Sequence, residues 1–190
     1  MPELIEPHVR VRTSFLASVE EFLAEGRGGH NTMLGEWRAL FEDRWATDDG
    51  FARFVAHLHA DATPDAPRPS HHVPQSTWWL VEGDTYLGRI SCRHVLNEWL
   101  AEFGGHIGYE VRPSARRQGH ATTMLRGVLP HVHALGIDPA LLTCDDTNVA
   151  SRKVIEAAGG DFEDQRGDKL RFWLPTGSEV TQVSSRRRSR

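Results

Sequence analysis

The spacing of apolar residues along this chain changes character near residue 75. Between Thr13 and Glu25, Phe15, Leu16, Val19, Phe22 and Leu23 fall on one helical face. An amphipathic helix opened by a Thr or Ser cap is expected over 13–25. Gly26, Gly28 and Gly29 end it and begin a loop. A second helix starts at Asp48 or Asp49, buries Phe51, Phe54, Val55 and Leu58, and stops before Pro64. Pro64, Pro67, Pro69 and Pro74 mark a surface loop rather than a domain linker. These helices are too few to enclose a core, so they should pack on a later sheet.

From Ser76 the texture is that of strands. Thr77–Val81 is rich in β-formers, Glu82-Gly83-Asp84-Thr85 has turn chemistry, and Tyr86–Cys92 reads as the return strand. Gly105–Val111 is a further strand. After it Ala121, Met124, Leu125, Val128, Leu129 and Val132 form a helical stripe facing a sheet. Pro130 should bend this helix or shorten its last turn, and Gly136 should end it in the left-handed conformation. A strand at 140–144, a shorter helix and a last strand at 169–174 follow. The order predicts a mixed α/β (α+β) fold with a mainly antiparallel central sheet flanked by helices. Residues 1–175 are read as a single domain. The tail 176–190 lacks apolar periodicity and is expected to be disordered, with its Arg186–Arg188 cluster solvated.

Composition narrows the function classes. At 190 residues, 39% hydrophobic and 25% charged, the chain suits one globular core. A net charge of -4 gives no global attraction to nucleic acid or anionic membrane, so any basic site must be local. No window approaches the ~20 apolar residues of a membrane span, and the acidic start Met1–Glu6 has no signal-peptide run. The two cysteines, Cys92 and Cys144, lie far apart without metal-ligand spacing, which fits a reducing cytoplasmic compartment. The 11 histidines are scattered (His57 with His59, His71 with His72, His131 with His133), and no metal is expected. The sequence leaves a homodimer open.

The candidate chemistry lies in 105–160. Arg112-Pro113-Ser114-Ala115 turns the chain from strand to helix, and Gln118-Gly119-His120-Ala121 forms the first helical turn. Its free amide N–H groups lie at the positive end of the helix dipole. Gly119 and the small Ala121 let a ligand approach the backbone, and Arg116 and Arg117 add fixed charge. Together these make an anion site suited to a diphosphate. The lysine of a Walker loop and the three glycines of a Rossmann turn are absent, so nucleoside triphosphate or NAD binding is not supported.

Arg116-Arg117-Gln118-Gly119-His120-Ala121 resembles the (Gln/Arg)-x-x-Gly-x-(Gly/Ala) signature of the GNAT superfamily of acetyl-CoA-dependent N-acetyltransferases. In that superfamily it follows the fourth strand and opens a long helix. Asn148-Val149-Ala150-Ser151 through Gly159-Gly160 looks like the second coenzyme A element, after the fifth strand. The fuller strings are similar to a bacterial subgroup of predicted acetyltransferases, tightly over 105–160 and more loosely over 74–104. The resemblance implies splayed fourth and fifth strands and acetyl-CoA as co-substrate. The acceptor it implies is an amine-bearing small molecule or peptide. It assigns Val111 to the pantetheine arm and the acetyl carbonyl. Arg116, Arg117, Gln118, Gly119, His120 and Ala121, with Thr122, fall to the pyrophosphate, and Asn148 and Ser151 to the pantetheine or cysteamine end. Asn148 also reads as a plain helix cap.

Two departures stand out. The family's general-acid tyrosine, seven residues after the asparagine, is Ile155 here, and its aromatic after the terminal glycine is Gly160. The expected chemistry is direct attack of an amine on the thioester, with Val111 N–H stabilising the oxyanion and Ser151 at the thiol end. Glu110, Tyr109, His94 and Glu98 are candidate bases, and strand alternation lets only one of Tyr109 and Glu110 face a given side. Trp78, Trp79 and Trp99 are candidate liners of an acceptor pocket. The competing reading is a non-catalytic acyl-CoA-binding regulatory module.

Overall fold

The structure, a computed structural model, describes residues 1–29 and 32–177. The chain runs β1 (Glu3–Ile5), α1 (Arg12–Ala24), α2 (Met33–Phe41), α3 (Asp48–Ala60), β2 (Gln75–Glu82), β3 (Thr85–Arg93), β4 (Ile107–Val111), α4 (His120–Ala134), β5 (Ala140–Asp145), α5 (Val149–Ala157), β6 (Asp161–Arg166) and β7 (Lys169–Leu174). The seven strands form one sheet in the order β1-β2-β3-β4-β5-β7-β6. Every pairing is antiparallel except β4 with β5. The mixed α/β fold is therefore as expected, with a mainly antiparallel sheet.

Period-2 alternation divides the core between the two faces of this sheet. Trp79, Val81 and Tyr86 join Phe15, Phe22, Trp37, Phe51 and Phe54 under α1–α3. Trp78, Leu80, Ile90, Leu142 and Phe172 join Met124, Leu125, Val128 and Ile155 under α4 and α5. Because the middle of β2 is covered on both faces, Trp78–Val81 is a continuous apolar run rather than an alternating one. The early helices do complete their core against the sheet. The Phe15 ring lies within 5.2–6.5 Å of Trp37, Trp45, Phe51, Phe54, Trp79 and Tyr86.

Local signals set several boundaries. Thr47 caps α3, accepting the Gly50 N–H at 3.1 Å. Gly136 follows α4 with φ +77°. Other expectations need correction. The stretch after Gly29, which the glycines mark as loop, holds α2, whose Leu34 and Trp37 are buried, and Thr32 Oγ1 accepts the Gly35 N–H at 3.0 Å. Helix α4 begins at His120, two residues later than expected, and runs four residues beyond Pro130. The strand expected from Gly105 begins at Ile107, because a π-helical turn over Leu100–Gly104 ends in Gly105 at φ +65°. Two strands were not expected. β1 is only three residues long, and β6 is an acidic, mostly exposed edge strand. With β1 present, Ile107–Val111 becomes the fourth strand, the place the sequence signature requires.

The described chain continues two residues past the expected domain end, through Gly177. Thr176 is buried, and its N–H donates to Asp138 Oδ1 at 2.8 Å. The tail expected to be disordered, with its arginine cluster, lies from residue 178 onward outside the described residues.

Candidate active site

The site forms where β4 and β5 part. They share one paired position, Ile107 with Leu142, and diverge beyond it. The side of β4 left open follows from its register with β3. Arg93 N–H donates to His106 O at 2.8 Å, and Arg112 N–H donates to Leu87 O at 2.9 Å. Between these two bonds the pairing is regular: Ile107 with Cys92, Gly108 with Ser91, Tyr109 with Ile90, Glu110 with Arg89, Val111 with Gly88. Hydrogen-bonded and non-bonded pairs alternate in an antiparallel ladder. Gly108, Glu110 and Arg112 therefore bond to β3, while Tyr109 and Val111 turn their N–H and C=O groups into the gap.

Opposite this gap stands the start of α4. Gly119 is left-handed at φ +82°, and so is Arg117 at φ +63°, an uncommon conformation for a residue with a Cβ. The first helical bond runs from Thr123 N–H to Gly119 O at 3.0 Å. The N–H groups of His120, Ala121 and Thr122 precede it and remain available to a ligand. A Cβ at Gly119 would meet no atom within 4 Å, so its glycine answers to backbone conformation and approach rather than packing.

A cleft of about 540 Å³ joins the gap to this helix start. Val111, Arg116, Arg117, Gly119, His120, Ala121 and Thr122 line it from one side, and Asn148 and Ser151 from α5. Of the residues expected to bind coenzyme, only the exposed Gln118 is not on its wall. Arg116 is partly committed elsewhere. Its guanidinium holds Glu25, the residue that follows α1, through two 2.8 Å bonds, and its Nε reaches toward Val111 O at 3.4 Å. Ala150 and Val154 also line the cleft; their helical spacing around Ser151 was the signal that would have found them. Arg27 has no such local signal.

Asn148 does cap α5, accepting the Ser151 N–H at 3.0 Å. The Ser151 hydroxyl in turn bonds the Tyr109 hydroxyl at 2.7 Å. Burial pushes the Tyr109 phenol up to about 12, so it stays protonated at neutral pH. Ile155, at the family's tyrosine position, is fully buried and takes no part. The hydroxyls near the expected thiol end are those of Ser151 and Tyr109.

Glu110 faces the opposite side of the strand. Its carboxylate accepts from Arg89 Nη2 at 2.8 Å, Arg89 Nε at 3.1 Å and Arg27 Nη2 at 2.8 Å. Burial raises its pKa, but Arg89 and Arg27 outweigh burial and hold the carboxyl below the usual carboxylate range. It is an anion at neutral pH and a weak base.

A second cavity, of about 830 Å³, lies on that side and shares Arg27, Tyr109 and Glu110 with the first. Of the three candidate tryptophans only Trp99 lines it, while Trp78 and Trp79 are in the two cores. His94 bonds Ser76 Oγ at 2.9 Å, and neither His94 nor Glu98 lines either cavity. Among the described residues no cluster of three or more His, Cys, Asp or Glu side chains is placed to hold a metal, and no helix is long and apolar enough to cross a membrane.

Comparison with known proteins fits this arrangement. The family model described as an acetyltransferase (GNAT) domain matches residues 30–161. None of the curated proteins matches the sequence significantly. Among solved structures, the ribosomal-protein-S5-alanine acetyltransferase of Vibrio fischeri is similar with a TM-score of 0.63 at 11% identity, over 93% of this chain and 94% of that one. PaiA N-acetyltransferase of Thermoplasma acidophilum, solved with coenzyme A, gives 0.55 at 11% identity, over 92% of this chain and 99% of that one. The N-acetyltransferase PseH of Campylobacter jejuni, solved with acetyl-coenzyme A, gives 0.51 at 11% identity, over 93% and 100%. At such identities the structures speak for the fold. The family match spans more than half of the sequence, and the chain belongs to the GNAT acetyltransferases, acetyl-CoA-dependent N-acetyltransferases.

Proposed function

We propose that this protein transfers the acetyl group of acetyl-CoA to a primary amine of a small molecule or peptide, by direct attack in a ternary complex. The observation that carries this reading is the position of Val111. Its N–H points into the β4–β5 gap, where the two cavities meet and share Tyr109 and Glu110. One cavity holds the coenzyme and the other the acceptor.

Each residue then has a task. The amides of His120, Ala121 and Thr122, with Arg117, hold the pyrophosphate; Arg116 contributes by releasing Glu25. Asn148 fixes the first turn of α5 and thereby Ser151. Val111 N–H donates to the thioester oxygen as negative charge develops there. The Ser151 hydroxyl, backed by the protonated Tyr109, donates to the departing thiolate. Glu110 is neutralised by Arg89 and Arg27, so it orders the cavity wall rather than acting as the base, and proton removal falls to solvent. Residues 1–175 act as one acetyltransferase domain, because a single sheet closes both cores.

The burial of Ile155 favours a second reading, an acyl-CoA-binding module that regulates a partner without catalysis. Two measurements separate them. Acetyl-CoA at 100 times its dissociation constant should stabilise the protein by about 2.7 kcal/mol in thermal denaturation. Thiol release with an amine panel should then exceed hydrolysis. Stabilisation without thiol release from any amine selects the module; no stabilisation refutes both readings.

A further inference from the structure

The floor of the larger cavity is a polar patch on a sheet face that is elsewhere aromatic. Register places it: Gln75 pairs with Arg93, Thr77 with Ser91, Ser91 with Gly108, and Arg89 with Glu110. By alternation all seven side-chain positions lie on the α1–α3 face. Most of the patch is satisfied internally. Thr77 and Ser91 bond each other at 2.9 Å, and Arg89 is held by Glu110.

Arg93 is the exception. Its Nη1 donates to the carbonyls of Gly104 and Gly105, both at 3.1 Å. Among the described residues its Nε and Nη2 have no hydrogen-bond partner and no carboxylate touches it; Glu36 of α2 acts on it only at longer range. Its side chain is half-buried, and burial with the neighbouring Arg89 lowers its affinity for its proton. Such a group favours a bound anion. Lys169 is neutralised by Asp145. The remaining lining charges, Arg27, Arg89 and Arg93 against Glu36 and Glu110, leave one positive charge in excess. Gly108 beside Arg93 keeps the space open: a Cβ there would lie 3.8 Å from Arg93 Nη1 and 3.9 Å from Nη2.

From these observations we infer that Arg93 is an anion-binding site for the acceptor, which is an amine carrying a single carboxylate. The inference rests on the acetyl transfer proposed above and names its substrate class. Gly108 stands three residues from Val111 along β4, about 10 Å at the strand rise. Allowing a contact of about 3 Å at either end, the acceptor's amine and carboxylate are roughly 4–10 Å apart. An α-amino acid, with one carbon between the two groups, is too short.

The test compares ε-aminocaproate with hexylamine, which match in length and differ in the carboxylate. The native enzyme should acetylate ε-aminocaproate with a kcat/KM at least tenfold higher. Arg93→Met should bring that ratio close to one, and Arg93→Lys should restore part of it. Because Arg93 also braces Gly104 and Gly105, a second variant leaves it in place. Gly108→Asp supplies an internal carboxylate beside Arg93 and should abolish the preference too. Stabilisation by coenzyme A in each variant reports an intact fold. A native enzyme indifferent to the carboxylate, or an Arg93→Met enzyme that keeps the ratio, overturns the inference. Should neither amine turn over, calorimetry on the protein saturated with coenzyme A decides. Binding of ε-aminocaproate that Gly108→Asp removes keeps the anion site and sinks acetyl transfer; no binding overturns the anion site.

Discussion

Replacing Val111 with proline tests the phase of β4 and the catalytic role of one hydrogen in the same protein. Proline has no N–H, and within a sheet it normally breaks a ladder bond. Here the bonds at Arg93–His106 and Leu87–Arg112 place Val111 at a non-bonded position facing the gap. Val111→Pro should therefore cost no ladder bond. Gly108→Pro, at a bonded position opposite Ser91, leaves a carbonyl of β3 unsatisfied at a cost of about 1–3 kcal/mol. For a domain of this size that is a fall in Tm of roughly 2–12 °C. Loss of a single oxyanion donor lowers kcat by about 10²–10³, or about 2.7–4 kcal/mol. The expected result is a Val111→Pro enzyme with native-like Tm and kcat down at least a hundredfold, measured by thiol release and thermal denaturation. Native kcat would refute the oxyanion role. A Tm loss as large as that of Gly108→Pro would refute the assigned phase.

Further predictions concern the core, the buried carboxylate and the helix start. Phe15→Ala removes a fully enclosed ring and should lower unfolding free energy by about 3–5 kcal/mol in urea titration. Glu110→Gln strands the buried Arg89 and should cost about 3 kcal/mol at neutral pH. Since the folded pKa of Glu110 is depressed, the native advantage exists above the usual carboxylate range and is lost as pH falls through the folded pKa. The two unfolding curves should therefore converge in acid. The pH–rate profile should be unchanged by Glu110→Gln, and loss of its acid limb would restore Glu110 as the base. Gly119→Ala forces a Cβ into φ +82°, and should cost about 1–2 kcal/mol without coenzyme while weakening coenzyme A binding in calorimetry.

How far the sequence was legible depended on the range of each interaction. Thr47 and Asn148 announce helix starts because a cap bonds an amide three residues away. The stripe from Ala121 to Val132 announces a helix because its spacing repeats. Helix α2 escaped such reading: it has nine residues, and Trp37 is buried against rings of α1 and α3. β6 escaped it because an exposed acidic edge strand carries no apolar alternation.

The site divides along the same line. Sequence alone marked the loop Arg116–Ala121 and its counterpart at Asn148 and Ser151, since each is a short motif whose geometry is local. Only the tertiary structure decided what surrounds them. It set Tyr109 against Ser151, 42 positions away, and Glu25 against Arg116, 91 positions away. It turned Glu110, a candidate base, into an anion held by Arg89 and Arg27, and it left Arg93 with no carboxylate in contact. A residue's charge and hydrogen-bonding capacity are written in its identity, but whether they are already spent depends on strand register and on neighbours that no local spacing reveals.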